Sequence, residues 1–96
     1  MKSLMQEDIS VSFLSGKGGQ LEKHHVMNGN PYREYAEIYG LWVMLTPEEH
    51  RWLHDTSDGR KYGRHLKVIA QEVFEEEFSH KEWFETFHKN YFVEVK

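Results

Sequence analysis

The sequence predicts a single α+β domain, and three observations support this class. A chain of 96 residues has the length of one small domain. Short apolar segments bounded by glycine and asparagine occupy the first half, whereas the second half shows the three- and four-residue spacing of amphipathic helices. Two helix-capping signals, at Thr46 and Ser79, mark where helical segments begin. Strands are therefore expected first, followed by helices.

The N-terminal third is predicted to contain a leader and a β-hairpin. Residues 1–8 are expected to form a loose leader. The segments ISVSFL (9–14) and LEKHHV (21–26) flank SGKGGQ, whose glycines permit the positive φ angles of a hairpin loop. The next segment, NGNPYREYAEIYG (28–40), is predicted to be a loop with a helical turn, because Asn-Gly and Asn-Pro both favour turns.

A buried strand and a capped helix are predicted to follow. GLWVMLT (40–46) is short and apolar, as buried strands are. Thr46 is a favoured N-cap, Pro47 suits the first helical position, and Glu49 completes a capping box. The core of the domain is therefore expected to span residues 9–55.

A helical extension is predicted in residues 61–92, within the same single domain of residues 1–96. Its first helix runs from residue 61 to residue 78, with apolar residues at i, i+3, i+4, i+7 and i+8. These residues form one stripe that is expected to face the core: Leu66, Ile69, Ala70, Val73 and Phe74. Ser79 and Glu82 form a second capping box, which opens the last helix.

Composition narrows the function. The chain has no cysteine, which excludes disulfides and thiolate metal sites. It has no apolar run of about 18 residues and no secretory signal, so a soluble cytoplasmic protein without membrane partners is expected. The net charge of −4 argues against binding of polyanions through bulk charge, although the segment from Arg51 to Lys67 is locally basic.

The histidines form the most informative pattern. His24 and His25 are adjacent at the end of a predicted strand, and His50 and His54 are separated by one helical turn and share a helix face. One histidine of the pair and the two helix histidines would give a metal three ligands and leave one position open, as in catalytic sites. The other histidine of the pair could accept a proton from water instead.

This constellation resembles the ββα-metal motif of HNH (His-Me finger) nucleases, in particular the colicin-type version with His-His on the first strand and H-x3-H on the helix. The segments LEKHHVMNGN, YGLWVMLTPEEH, LKVIAQEVFEEE and WFETFHKNYF are similar to a family of small phage and prophage HNH-like proteins, over residues 20–92. The resemblance implies a ββα-metal core with two additional C-terminal helices. It also implies that His24, His50 and His54 bind one divalent metal ion (Zn, Ni, Mn or Mg) and that His25 is the general base.

The function implied by the resemblance is metal-dependent hydrolysis of phosphodiester bonds in double-stranded DNA, in the cytoplasm of the bacterial host. Neutral His25 would take a proton from the attacking water, and cleavage would leave 5′-phosphate ends. A cationic side chain should hold the substrate phosphate. Arg33, Lys61 and Arg64 are candidates by charge alone.

Several alternatives remain open at this stage. His65 is an alternative third ligand to His54, because the segment between the helices varies in such proteins. The asparagine that commonly orients the base has no clear counterpart in the second predicted strand, and Asn28 and Asn30 are weak substitutes. Leu21 and Thr46 stand where relatives often carry cysteines, so an additional structural zinc is not expected.

Two other functions fit the same residues. A nuclease-derived phage protein could act as a binding module that inhibits a host defence enzyme, and the net charge of −4 with the acidic segment EVFEEEF suits a protein partner. A structural metal-binding accessory protein would use the histidines only to stabilise its fold. Replacing His25 with alanine separates these functions, because the change should stop cleavage and leave metal and partner binding nearly intact.

Overall fold

Two short strands and five helices occur in residues 2–94, the part of the chain that the computed structural model describes. In chain order they are β1 (Glu22–His25), α1 (Tyr32–Tyr39), β2 (Trp42–Leu45), α2 (Pro47–Asp55), α3 (Ser57–Glu77), α4 (His80–Phe87) and α5 (Tyr91–Glu94). The predicted α+β class is confirmed. None of the described helices is both long and apolar enough to cross a membrane.

The sheet consists of β1 and β2 in antiparallel register, with His24 opposite Val43 and His25 opposite Trp42. Successive side chains of a strand point to opposite faces. His24 is therefore buried on the face that α2 covers, whereas His25 faces the other side. The buried strand predicted at residues 40–46 is present as β2, and α1 lies in the connection between the two strands.

The predicted hairpin between residues 9–14 and 21–26 is wrong, because residues 9–14 form turns. The Ser12 hydroxyl accepts hydrogen bonds from the backbone N–H groups of Leu14 and Ser15, each at 3.1 Å, and donates to Glu49. These side-chain bonds satisfy the backbone locally and so compete with strand pairing. The strand that contains the histidine pair is paired with β2 instead.

The expectation of a loose leader is also wrong for its described residues. Leu4 donates its backbone N–H to Gly40 at 2.8 Å, and the Ser3 hydroxyl donates to the carbonyl of Trp42 at 2.6 Å. The side chain of Gln6 accepts a hydrogen bond from the backbone N–H of Met44 at 2.8 Å. The leader thus covers backbone groups along β2 that would otherwise lack partners.

The helices begin and end close to their predicted positions, with three differences. The two predicted C-terminal helices are followed by a third, α5, because α4 ends with the C-cap His88, whose backbone is left-handed. A full eight-residue α1 replaces the single predicted turn, and α3 begins at Ser57 rather than at residue 61. The Thr56 hydroxyl accepts a hydrogen bond from the backbone N–H of Gly59, which explains the early start of α3. Three residues of the predicted stripe on α3, Leu66, Ala70 and Phe74, are buried in the core, and Ile69 and Val73 pack against it. From β2 onward, the other buried apolar residues of the core are Trp42, Val43, Leu45, Leu53, Trp83 and Phe87.

Gly59 allows α3 to approach α2 closely. A Cβ atom at this position would overlap the carbonyl oxygen of Trp52 and would lie 2.6 Å from the Cα atom of Leu53. We expect Gly59→Ala to lower the free energy of unfolding by about 2 kcal/mol, because the two backbones must move apart. Gly63→Ala is the matched control, since its Cβ would make only ordinary contact with the Leu53 side chain at 3.6 Å. Urea unfolding of both variants measures the difference, and equal stability would contradict this account of α2–α3 packing.

Candidate metal centre

Three histidines converge where β1 packs against α2. Thr46 caps α2 through a complete capping box with Glu49, which fixes the helix start and places His50 and His54 one turn apart. His24 extends from β1 toward them and is 5% exposed. One ligand nitrogen from each of the three rings lies within 4.8 Å of the others. The structure therefore brings together the three residues predicted as metal ligands.

The three imidazoles suit a divalent metal in chemistry and in position. Bonds of about 2.1 Å to zinc would place the nitrogen atoms roughly 3.4 Å apart in a tetrahedral site. His50 is half-buried and His54 is exposed, so small rotations of these two side chains can bring their nitrogen atoms closer. Three histidine ligands leave a fourth position for water or substrate. The spacing is therefore compatible with a metal ion.

Glu22 orients one of the three ligands. Its Oε1 atom lies 2.9 Å from Nδ1 of His50, and a carboxylate can only accept this hydrogen bond. Nδ1 then carries the proton, and Nε2 is left to bind the metal. Metal-bound histidines commonly have such a carboxylate partner. Sequence reasoning missed Glu22, although its position two residues before His24, on the same strand face, was a signal.

Burial keeps His24 uncharged. Loss of water contact lowers the pKa of His24 from 6.5 to about 4, helped by the charges of His50 and His54 and, to a smaller extent, of His25 and Lys67. A neutral imidazole has a free lone pair, which metal binding requires. His24 is thus available as a ligand throughout the neutral and mildly acidic range.

Because the pKa of His24 is lowered by folding, we expect the metal-free protein to lose stability in acid. His24 binds a proton near pH 6.5 in the unfolded chain, whereas in the folded chain it binds one only near pH 4. The free energy of unfolding therefore has its full value above pH 6.5 and decreases by up to about 3 kcal/mol as the pH falls to about 4. Urea unfolding in a chelator at pH 7, 5 and 4 measures the loss. His24→Gln should lose less stability over the same range, and an equal loss in both proteins would refute the assignment.

His25 lies on the opposite side of β1, against α1. Its Nε2 atom is 2.7 Å from Oε1 of Glu37, and Nζ of Lys23 lies 3.2 Å from the same oxygen. The hydrogen bond from His25 holds the pKa of Glu37 below its ordinary value, so this carboxylate is ionised and accepts the proton of Nε2. The lone pair of Nδ1 is then free to accept a proton. Glu37, rather than Asn28 or Asn30, is the residue that orients His25.

Two clefts flank β1, and among the described residues they have no lining residue in common. The first cleft, of about 680 Å³, contains His25, Arg33 and Glu37. The second, of about 380 Å³, is called the metal cleft here. It is lined by His24, Val26, Asn28, Leu53, His54, Arg60, Gly63, Arg64 and Lys67. The predicted base and the predicted metal ligand His24 therefore face different clefts.

Of the remaining predicted substrate-binding and ligand residues, one lines each cleft and the others line neither. Arg33 lies beside His25 and Arg64 lies in the metal cleft, whereas Lys61 lines neither. His65 is not part of the three-histidine group, and its ring instead lies 6.2 Å from that of Tyr62. Of the two alternatives for the third ligand, the structure brings His54 to the cluster.

Comparisons of the chain with protein-family models, with curated proteins and with solved structures gave no match. The function proposed below therefore rests on the side chains of this chain and on the resemblance of its sequence motif.

Proposed function

We propose that this protein is a metal-dependent endonuclease of the HNH type that hydrolyses phosphodiester bonds in DNA. The observation that carries the proposal is the convergence of His24, His50 and His54, with a ligand nitrogen of each within 4.8 Å of the others. A structural zinc site usually has four protein ligands, whereas three ligands and an open position are typical of a catalytic site. The open position is what a substrate phosphate requires.

A bound divalent ion would offset the negative charge that develops on the phosphate during hydrolysis. His25 takes the proton from the attacking water at Nδ1, while Glu37 holds Nε2–H and so keeps the ring in position. The water oxygen forms a bond to phosphorus, and the bond from phosphorus to the 3′-oxygen breaks. The leaving oxygen is protonated by solvent, which gives a 5′-phosphate and a 3′-hydroxyl.

A structural metal site is the second candidate function. It is favoured by one observation, namely that His25 and the metal cleft lie on opposite sides of β1. In that case the histidines would join β1 to α2 and stabilise the domain, and His25 would contribute through its hydrogen bond to Glu37.

Plasmid nicking by the purified protein tests the proposal. The protein is first stripped of metal with a chelator, and Mg²⁺, Mn²⁺, Ni²⁺ or Zn²⁺ is then added singly, with bound metal measured in parallel. Conversion of supercoiled plasmid to the nicked form by at least one metal is the expected result. Bound metal without cleavage under any of the four conditions would favour the structural function.

A further inference from the structure

Three cationic side chains of α3 line the metal cleft. Arg60, Arg64 and Lys67 are separated by four and three residues, so they share one face of the helix. Arg60 also donates from Nη1 to the carbonyl of His54, at 3.5 Å, where α2 ends. The cationic face therefore begins beside a predicted metal ligand and continues along α3.

The metal cleft is basic although the chain as a whole is acidic. Its described lining contains three cations and no carboxylate, in a chain of net charge −4. By contrast, the cleft that contains His25 includes Glu34 and Glu37 beside a single arginine. Of these two clefts, the metal cleft is thus the one whose described lining offers an anion a uniformly favourable surface next to the three histidines.

We propose that Arg60, Arg64 and Lys67 form a phosphate subsite that holds the DNA backbone beside the metal ligands. That the ligand is DNA rests on the function proposed above, whereas the position of the subsite is inferred from the residues that line the metal cleft. Arginine can bind a phosphate through two parallel N–H groups, and lysine adds a point charge. A cleft of about 380 Å³ exceeds the volume of one phosphate and leaves room for the attached sugar.

The subsite is tested by DNA binding without cleavage. A fluorescent DNA duplex is titrated with the protein in a chelator, and anisotropy is recorded for wild type, Arg60→Gln, Arg64→Gln and Lys67→Gln. Each variant should bind about five- to tenfold more weakly, and the slope of log affinity against log salt should decrease by about one. Glutamine is a good helix former, so α3 should be retained, and thermal melts verify this. Arg64→Lys keeps the charge but loses the second parallel N–H group, so it should recover only part of the affinity.

Arg51→Gln is the matched control, because Arg51 is exposed on α2 and lines neither cleft. It should change affinity less than twofold. Lys61→Gln should behave in the same way, although charge alone made Lys61 a candidate. An equal loss in Arg51→Gln and Arg64→Gln would overturn the subsite in favour of general charge attraction. Adenosine 5′-monophosphate is added as a competitor. If it displaces the duplex when the two are at equal concentration, the subsite binds a free nucleotide and the proposal that it holds the DNA backbone is overturned.

The subsite and the nuclease can fail separately. If the α3 variants weaken DNA binding but no metal supports nicking, the subsite stands and the nuclease proposal fails. If nicking occurs and the α3 variants bind DNA as wild type does, the nuclease stands and the subsite proposal fails.

Discussion

Replacement of His25 with alanine is expected to lower metal-dependent plasmid nicking by about 100-fold or more. The variant loses the only group proposed to take the proton from the attacking water. Bound metal should stay at the wild-type level, because His25 is on the opposite face of β1 from His24 and is outside the three-histidine group. Initial nicking rates at saturating metal, together with metal content by elemental analysis, give both quantities.

His80→Ala is a matched control for this change. His80 also lies 2.7 Å from a glutamate, Glu75, but it is on α4 and contributes to neither cleft. It should nick plasmid at the wild-type rate. Glu37→Gln should reduce nicking less than His25→Ala, because glutamine can still accept the bond from Nε2 but carries no charge. Wild-type nicking by His25→Ala would rule out His25 as the base.

Local rules predicted that His50, His54 and one histidine of the pair could converge, and the resemblance to the ββα-metal motif selected His24 from that pair. Thr46 and Glu49 determine where α2 begins, and the helical repeat then places His50 and His54 on one face. Alternation along β1 separates His24 from His25. Each rule needs only a few neighbouring residues, whereas the approach of β1 to α2, which brings the three histidines together, is a tertiary contact that these rules do not contain.

The partners of these residues depend on contacts that a hydrophobic pattern does not contain. Glu37 is twelve residues from His25, and their contact exists only because α1 is a full helix packed beside β1. The bonds from Ser3 and Gln6 to β2 are formed by polar side chains, which leave no periodic signal. The incorrect hairpin and the incorrect loose leader both have this cause.

The cationic side chains that line the metal cleft could be predicted only in part from the sequence. Charge alone selected Arg64 and Lys61, but these residues differ in direction around α3. Arg60 could be placed on the helix only once α3 was seen to begin at Ser57 rather than at residue 61. Charge therefore identified the segment that borders the metal cleft, and helix phase was needed to identify which of its side chains line that cleft.

Addition of Zn²⁺ to the metal-free protein is expected to raise its melting temperature by roughly 10–20 °C. At a metal concentration of 100 times the dissociation constant, binding stabilises the folded state by about 2.7 kcal/mol. In a domain of this size each kcal/mol corresponds to about 4–8 °C. The increase arises because the unfolded chain does not hold His24, His50 and His54 together. Circular dichroism melts with and without added Zn²⁺ measure it.

His54→Ala should lose most of this increase, because two imidazoles remain from a set of three. The change is at the surface, since His54 is exposed, so the melting temperature without metal should be nearly that of wild type. His65→Ala is the comparison that separates the two candidate third ligands. It should keep the full increase, since His65 lies outside the cluster. If His65→Ala loses the increase and His54→Ala keeps it, His65 rather than His54 is the third ligand. If neither change affects the increase, zinc binds elsewhere.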